Sequence, residues 1–257
     1  MGLLSDEDEL RQLMDHAHTR GLVESDEHEM IHNVFELGDT LVRELMVPRT
    51  DMVWIEKDKT LRQGLSLALR SGFSRIPVVG TGPDNIIGIV YVKDLARRAL
   101  DHHEAEQTEI IEQHMRPATF VPEIKMADEL LKEMQRNQIH LAVVVDEYGG
   151  TAGIITIEDI IEEIVGEIED EFDDGEDDFA WLTPDTARAN ASLHIEDLAD
   201  ELKIEINESD FEDVDTIGGL MAQKLGRVPI AGSTVSLHGW SITSERPIGR
   251  RRRISSV

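Results

Sequence analysis

Cysteine is absent from the 257 residues, which excludes disulfides, thiolate metal ligands and a cysteine nucleophile. The same absence suits a reducing compartment. Aromatic residues make up only 4%, so the core is expected to be aliphatic, drawn from the many Val and Ile runs. Positive charge is scarce as well: 25 Lys and Arg stand against 53 Asp and Glu, a formal charge of −28. Such a surface repels a phosphate backbone or an anionic bilayer, and nucleic acid is not expected as a partner. No apolar run reaches the roughly 18 to 20 residues that cross a membrane. The start, Met1-Gly-Leu-Leu-Ser-Asp-Glu-Asp8, lacks the basic-then-apolar layout of a signal peptide. The chain as given is therefore expected to be soluble and cytoplasmic. No Ser, His or Asp sits in a nucleophile-elbow or metal-hydrolase pattern, so the chain reads as non-enzymatic.

What is present begins with two helices. Ser5 and Asp8 offer a capping box, and Leu10, Leu13, Met14 and Ala17 form an apolar face that Gly21 ends. A second helix starts near Ser25 and is expected to carry Met30, Ile31, Val34 and Phe35 inward. From Met46 short β-rich runs alternate with helices, and a repeat emerges. Gly88-Ile-Val-Tyr91-Val-Lys-Asp94-Leu95 matches Gly153-Ile-Ile-Thr156-Ile-Glu-Asp159-Ile160, 65 residues later. Arg75-Ile-Pro-Val-Val79 lies over His140-Leu-Ala-Val-Val144 at the same offset, and Met46-Val-Pro48 over Met115-Arg-Pro117 at 69. Each copy reads as a Met-x-Pro lead-in, a strand, an amphipathic helix, two strands and a closing helix. Two copies argue for a pseudo-twofold pair. Residues 162–178 hold 11 acids and no base; self-repulsion makes the later part an extended, solvated connector rather than a cation site. Beyond it a small α+β domain is expected. Its helices carry Ile195, Leu198 and Leu202, then Ile217, Leu220, Met221 and Leu225, and its strands meet at His238-Gly239. His102, His103 and His114 complete no metal-ligand set and read as exposed helix residues, and Arg250–Arg253 reads as a strand with alternating exposed Arg.

The run from Gly153 to Asp159 is the most informative element. At a strand-to-helix junction the unpaired N–H groups can receive phosphate oxygens, the Thr156 hydroxyl adds a donor, and Asp159 can accept from a ribose diol. Plain capping fits the same residues, with Thr156 as N-cap and Glu158 and Asp159 favoured by the helix dipole. The recurrence of Asp94 in the first copy speaks for the ligand reading, although Tyr91 there replaces the Thr.

Met46-Val-Pro-Arg-Thr-Asp-Met52, Ser74-Arg-Ile-Pro-Val78, Asp146-Glu-Tyr-Gly-Gly150 and the run from Gly153 through Asp170 resemble the paired CBS domains (cystathionine-β-synthase-type repeats) of the CorC/HlyC magnesium and cobalt efflux family. Asp215-Thr-Ile-Gly-Gly219, Leu225-Gly-Arg-Val-Pro229 and the Arg-rich end resemble that family's transporter-associated domain. The resemblance implies an α+β fold: a tandem CBS (Bateman) module with an N-terminal helical segment and a small C-terminal α+β domain. The segments are then 1–45 helical, 46–104 and 105–168 the two CBS repeats, 169–179 the acidic linker and 180–257 the C-terminal domain. It also implies a regulatory module that binds ATP with Mg²⁺ held through the nucleotide phosphates. Such a module controls divalent-cation efflux by a membrane transporter domain, in cis or in trans, on the cytosolic face. Thr156 and Asp159 match the family's phosphate and ribose contacts, Tyr91 and Asp94 hold the corresponding junction of the first repeat, and Arg75 is a candidate phosphate partner. The family implies a twofold homodimer through the closing helices, on which Leu95, Leu100, Ile160, Ile161, Ile164 and Val165 are available. The transmembrane domain that precedes the pair in many relatives is not among these 257 residues; other relatives are soluble throughout. Two other readings stay open: an interaction scaffold with an empty CBS pair, and flavin-nucleotide binding by the C-terminal domain. The latter domain resembles only part of a flavin-binding fold of the vanillyl-alcohol-oxidase type.

Overall fold

The computed structural model describes residues 7–166, 178–204 and 214–245. The capping box expected at Ser5, most of the 169–179 linker and the Arg250–Arg253 strand lie outside the described residues. In chain order the elements begin with α1 (Glu7–Thr19), α2 (Ser25–Leu37), α3 (Val42–Leu45) and β1 (Val47–Pro48). The first repeat adds β2 (Ile55–Glu56), α4 (Leu61–Ser71), β3 (Arg75–Val79), β4 (Ile86–Tyr91), α5 (Val92–Asp101) and α6 (Ala105–Thr108). The second adds β5 (Phe120–Pro122), α7 (Ala127–Asn137), β6 (Leu141–Val145), β7 (Thr151–Thr156) and α8 (Ile157–Val165). The C-terminal part carries β8 (Phe179–Thr183), β9 (Thr186–Ala189), α9 (Ile195–Leu202), α10 (Ile217–Leu225), β10 (Thr234–Leu237) and β11 (Trp240–Thr243). This is the mixed helix and sheet content expected.

The chain gathers into two compact units, one from the segments through Pro48 and from Thr119 to Ile168, the other from Arg49 to Ala118 and from Glu169 onward. In the first unit the sheet order is β1-β7-β6-β5, with β5 and β6 parallel and the other pairs antiparallel. Its core is aliphatic: Val121, Leu130, Met134, Val144, Ile155 and Ile160 are buried, with Leu37 and Val42 of the helical segment packed among them. The outcome for α2 differs from the expectation. Val34 and Met30 are exposed, Ile31 and Phe35 are half-buried, and Leu37 is the residue of this helix buried in the core. Leu13 of α1 is exposed as well.

In the second unit β2, β3 and β4 form the sheet, parallel then antiparallel. Ile55, Leu61, Ala68, Ile76, Val78, Val90, Leu95 and Ile111 fill its core. α4 starts at a capping box in which Thr60 and Gln63 each bond the other's backbone N–H, and stops at Gly72, whose φ of +70° suits a residue without a Cβ. The same unit holds a separate small core of Ile195, Leu198, Ile217, Leu220, Met221, Val235 and Leu237. There the expected helices and the His238-Gly239 turn are found. The hairpin of β8 and β9 is an addition that the hydrophobic pattern did not reveal.

The two Met-x-Pro lead-ins share a role. Val47 and Pro48 pair with Ile154 and Gly153 of β7, and Arg116 bridges to Ile89 of β4. The lead-in of each copy thus completes the sheet of the other copy. This explains the glycines at the repeated positions 88 and 153. A Cβ on Gly88 would sit 2.8 Å from the Arg116 carbonyl oxygen, and one on Gly153 would overlap the Val47 carbonyl oxygen. Only a residue with no side chain permits that approach.

Candidate functional site

At the second-repeat junction β7 runs straight into α8, and Thr156 is the N-cap. Its backbone is extended, at φ −110° and ψ 162°, so the strand continues up to the cap and the helix begins at the next residue. The Thr156 Oγ1 accepts from the Asp159 N–H at 3.2 Å, and Asp159 Oδ2 accepts from the Thr156 N–H at 2.7 Å. Both residues therefore cap the helix, as the plainer reading anticipated. Capping does not exhaust them. A hydroxyl that accepts one bond keeps its O–H to donate, and a carboxylate has lone pairs on two oxygens. Thr156 can thus give a hydrogen bond to a phosphate oxygen, and Asp159 Oδ1 can accept from a ribose hydroxyl, without breaking the cap. Burial raises the Asp159 carboxyl above its ordinary value of 3.8, opposed by the bonds from Thr156 and reinforced by Glu162 and Glu158.

The first-repeat junction of β4 and α5 is built differently. Tyr91 is the N-cap and makes no side-chain cap bond. Asp94, the counterpart of Asp159, is turned to Arg116, whose Nε donates to Oδ2 at 2.9 Å and whose Nη2 also bonds it. The Arg116 guanidinium lies 4.3 Å from the centre of the Tyr91 ring, with Arg75 at 5.7 Å and Lys93 at 5.9 Å. Three cations thus lie within 6 Å of one ring centre, each attracted by the ring quadrupole, and Asp94 pairs with Arg116. In the second repeat the positions of Arg75 and Lys93 are held by His140 and Glu158, 4.0 Å apart. The two junctions therefore differ in sign: cationic in the first copy, neutral to acidic in the second.

The structure thus gathers Tyr91, Asp94 and Arg75 at one place and Thr156 and Asp159 at another. Lys93 and Arg116 are residues that the sequence reading missed. Arg116 stands in the lead-in Met115-Arg-Pro117, which served only to mark the repeat; its alignment with Val47 hid its charge. Among the described residues no set of three or more His, Asp or Glu is arranged to hold a metal ion. His114 instead bonds Glu109 at 2.7 Å.

Comparison with known proteins bears on what such junctions do. Residues 42–101 and 109–166 match the CBS domain family, and residues 182–257 match the transporter-associated domain called CorC_HlyC. The chain is 37% identical over 245 residues to the magnesium and cobalt efflux protein CorC of Salmonella typhimurium, covering 95% of this chain and 82% of that protein. It is 48% identical over 254 residues to a UPF0053 protein of Mycobacterium tuberculosis, covering 98% of this chain. The chain spans 58% of the length of that relative. Among solved structures, a CBS domain of a bacterial CNNM/CorC family Mg²⁺ transporter superposes with a TM-score of 0.60 at 45% identity, over 65% of this chain and all of that one. A CBS domain of such a transporter in complex with ATP superposes with a TM-score of 0.52 at 47% identity, over 55% of this chain and 99% of that one.

Proposed function

The chain belongs to the CorC family, with paired CBS domains followed by the transporter-associated domain, and from that premise we propose that it is the ATP-sensing module of a divalent-cation efflux system. In this reading it works on the cytosolic face of a membrane, binds ATP with Mg²⁺, and acts on a membrane transporter domain in cis or in trans that exports magnesium or cobalt. Its output is conformational rather than catalytic: bound nucleotide favours one arrangement of the module over another, by the difference in its affinity for the two. No helix among the described residues is long and apolar enough to cross a membrane, so the permeation path is assigned to another segment or chain.

The observation that carries this reading is the Thr156–Asp159 junction, whose capping box leaves one hydroxyl donor and one carboxylate oxygen available. The relative solved in complex with ATP supports the choice of nucleotide. In the first repeat Arg75 and Tyr91, with Lys93 and Arg116 beside them, form a separate cationic group suited to phosphate, and Asp94 is that repeat's counterpart of Asp159. Because Tyr91 stands at the first junction where the second has the capping hydroxyl of Thr156, the second repeat supplies the better junction, and one nucleotide per pair is favoured over two. Mg²⁺ belongs to the account because ATP carries about four negative charges and the chain carries −28. A cation held by the phosphates, keeping some of its waters, offsets that repulsion without a protein cage. Thermal unfolding tests the proposal. ATP with Mg²⁺ should raise the melting temperature progressively with concentration, as any ligand of the folded state does. An unchanged melting temperature at millimolar ATP and Mg²⁺ would leave the empty-scaffold alternative in its place.

A further inference from the structure

A second cationic feature, made of other residues, lies on the outer face of α4. A cavity of about 380 Å³ is lined there by Trp54, Lys59, Arg62, Ser66, Arg70 and Arg227, among others. Among the described residues that line it the only acid is Glu56, which stands 3.6 Å from Lys59. Arg62, Ser66 and Arg70 follow one another at four-residue intervals, so they rise along one face of the helix at about 6 Å per step. Arg227 arrives from the loop after α10. Among the described residues no carboxylate pairs with Arg62, Arg70 or Arg227, whereas Arg49, Arg98 and Arg116 are paired with Asp84, Glu109 and Asp94. Arg20, Arg43, Arg97 and Arg136 likewise have no carboxylate partner among the described residues, so what distinguishes Arg62, Arg70 and Arg227 is that they line one cavity. In a chain where acids outnumber bases by 53 to 25, that convergence reverses the sign of the surrounding field locally.

We propose that this groove is a binding site for a small phosphate-bearing anion, separate from the nucleotide junctions and independent of the reading given above. Guanidinium groups offer planar, paired donors that match phosphate oxygens. The Ser66 hydroxyl adds a donor between them, and Trp54 gives the cavity a flat apolar wall against which an organic portion can rest. A lipid surface carries the same phosphate chemistry. It is disfavoured here because the site is concave and the chain's overall charge of −28 opposes approach to an anionic bilayer, whereas a small anion senses mainly the local groups.

The test uses inorganic pyrophosphate as the probe, with Trp54 as the reporter in a chain whose other two tryptophans are replaced (Trp181→Phe, Trp240→Phe). A saturable change in fluorescence is expected, weakening as salt is raised. In the Arg62→Gln, Arg70→Gln double variant the affinity should fall at least tenfold, since two charge-assisted contacts are lost. Ser66→Asp should weaken it too, and Thr156→Ala and Arg116→Gln should leave it unchanged. Circular dichroism matching the parent would show that these surface changes leave the fold intact. The proposal is overturned by the absence of a saturable change, by a change that persists in the double variant, or by a response only to phosphatidylglycerol vesicles.

Discussion

Thr156 caps α8 and, on the proposed function, also donates to phosphate; substitutions separate the two by magnitude. Thr156→Ala removes the acceptor for the Asp159 N–H and should cost about 1 kcal/mol of stability, read by urea unfolding. On the proposed function it also removes a phosphate donor and should weaken ATP binding roughly 5- to 150-fold, the equivalent of about 1 to 3 kcal/mol. Thr156→Ser keeps the hydroxyl and should restore most of both. A residue that only capped its helix would show the first effect and not the second. Thr156 and Asp159 were legible in the sequence because the junction is local: strand, cap and helix lie within a few residues. Lys93 and Arg116 were not. The place of Arg116 over Tyr91 depends on a strand bridge between Arg116 and Ile89, a long-range pairing that no local pattern announces.

At the scale of elements, the closing helix of the first repeat is fastened by an ion pair. Arg98 of α5 bonds Glu109 through Nε at 2.9 Å and through Nη2, and His114 reaches the same carboxylate. The Arg98 hydrogen bonds hold the Glu109 carboxyl down at about 2, against an ordinary 4.5. A carboxyl that is more acidic in the folded state stabilises fully above its ordinary value, and that contribution is lost as pH falls from about 4.5 toward 2. Glu109→Gln should therefore be less stable than the parent at pH 7, and the gap should close on acidification through that window, as followed by denaturant midpoints. The lead-in strands set a steric requirement. Gly153→Ala places a methyl against the Val47 carbonyl and should cost about 1 to 3 kcal/mol through the forced shift of β1 from β7. A melting temperature equal to the parent's would count against this close approach. The alternation of strands and helices was readable from periodicity, as was the stop of α1 at Gly21. The exchange of lead-ins was hidden because the repeat offset aligns each Met-x-Pro with its own copy while the backbone pairs it with the other. The outward turn of Met30 and Val34 was hidden too, since α2 is apolar on more sides than the core covers.

For the whole molecule, a twofold dimer is an expectation from the sequence resemblance, and the exposure of the closing helices narrows how it could form. Leu95 and Ile160 are buried at 0% exposure and serve their own cores, which removes them from the expected interface. Leu100, Ile161 and Val165 remain exposed, as does Leu69 on α4, and we propose these as the residues through which copies associate. Light scattering at tens of micromolar should give twice the chain mass, falling toward the monomer in a Leu69→Lys, Leu100→Lys variant. A monomeric parent would remove the dimer from the account. The central claim of the proposed function is that this strongly acidic chain binds ATP with Mg²⁺ on the triphosphate and with Thr156 and Asp159 at phosphate and ribose. Isothermal calorimetry of ATP with the parent, Thr156→Ala and Asp159→Ala, each with Mg²⁺ and with EDTA, tests it most directly. The account predicts saturable binding that is weakened by EDTA and by either substitution; ATP affinity indifferent to EDTA, or equal in the parent and both variants, would contradict it.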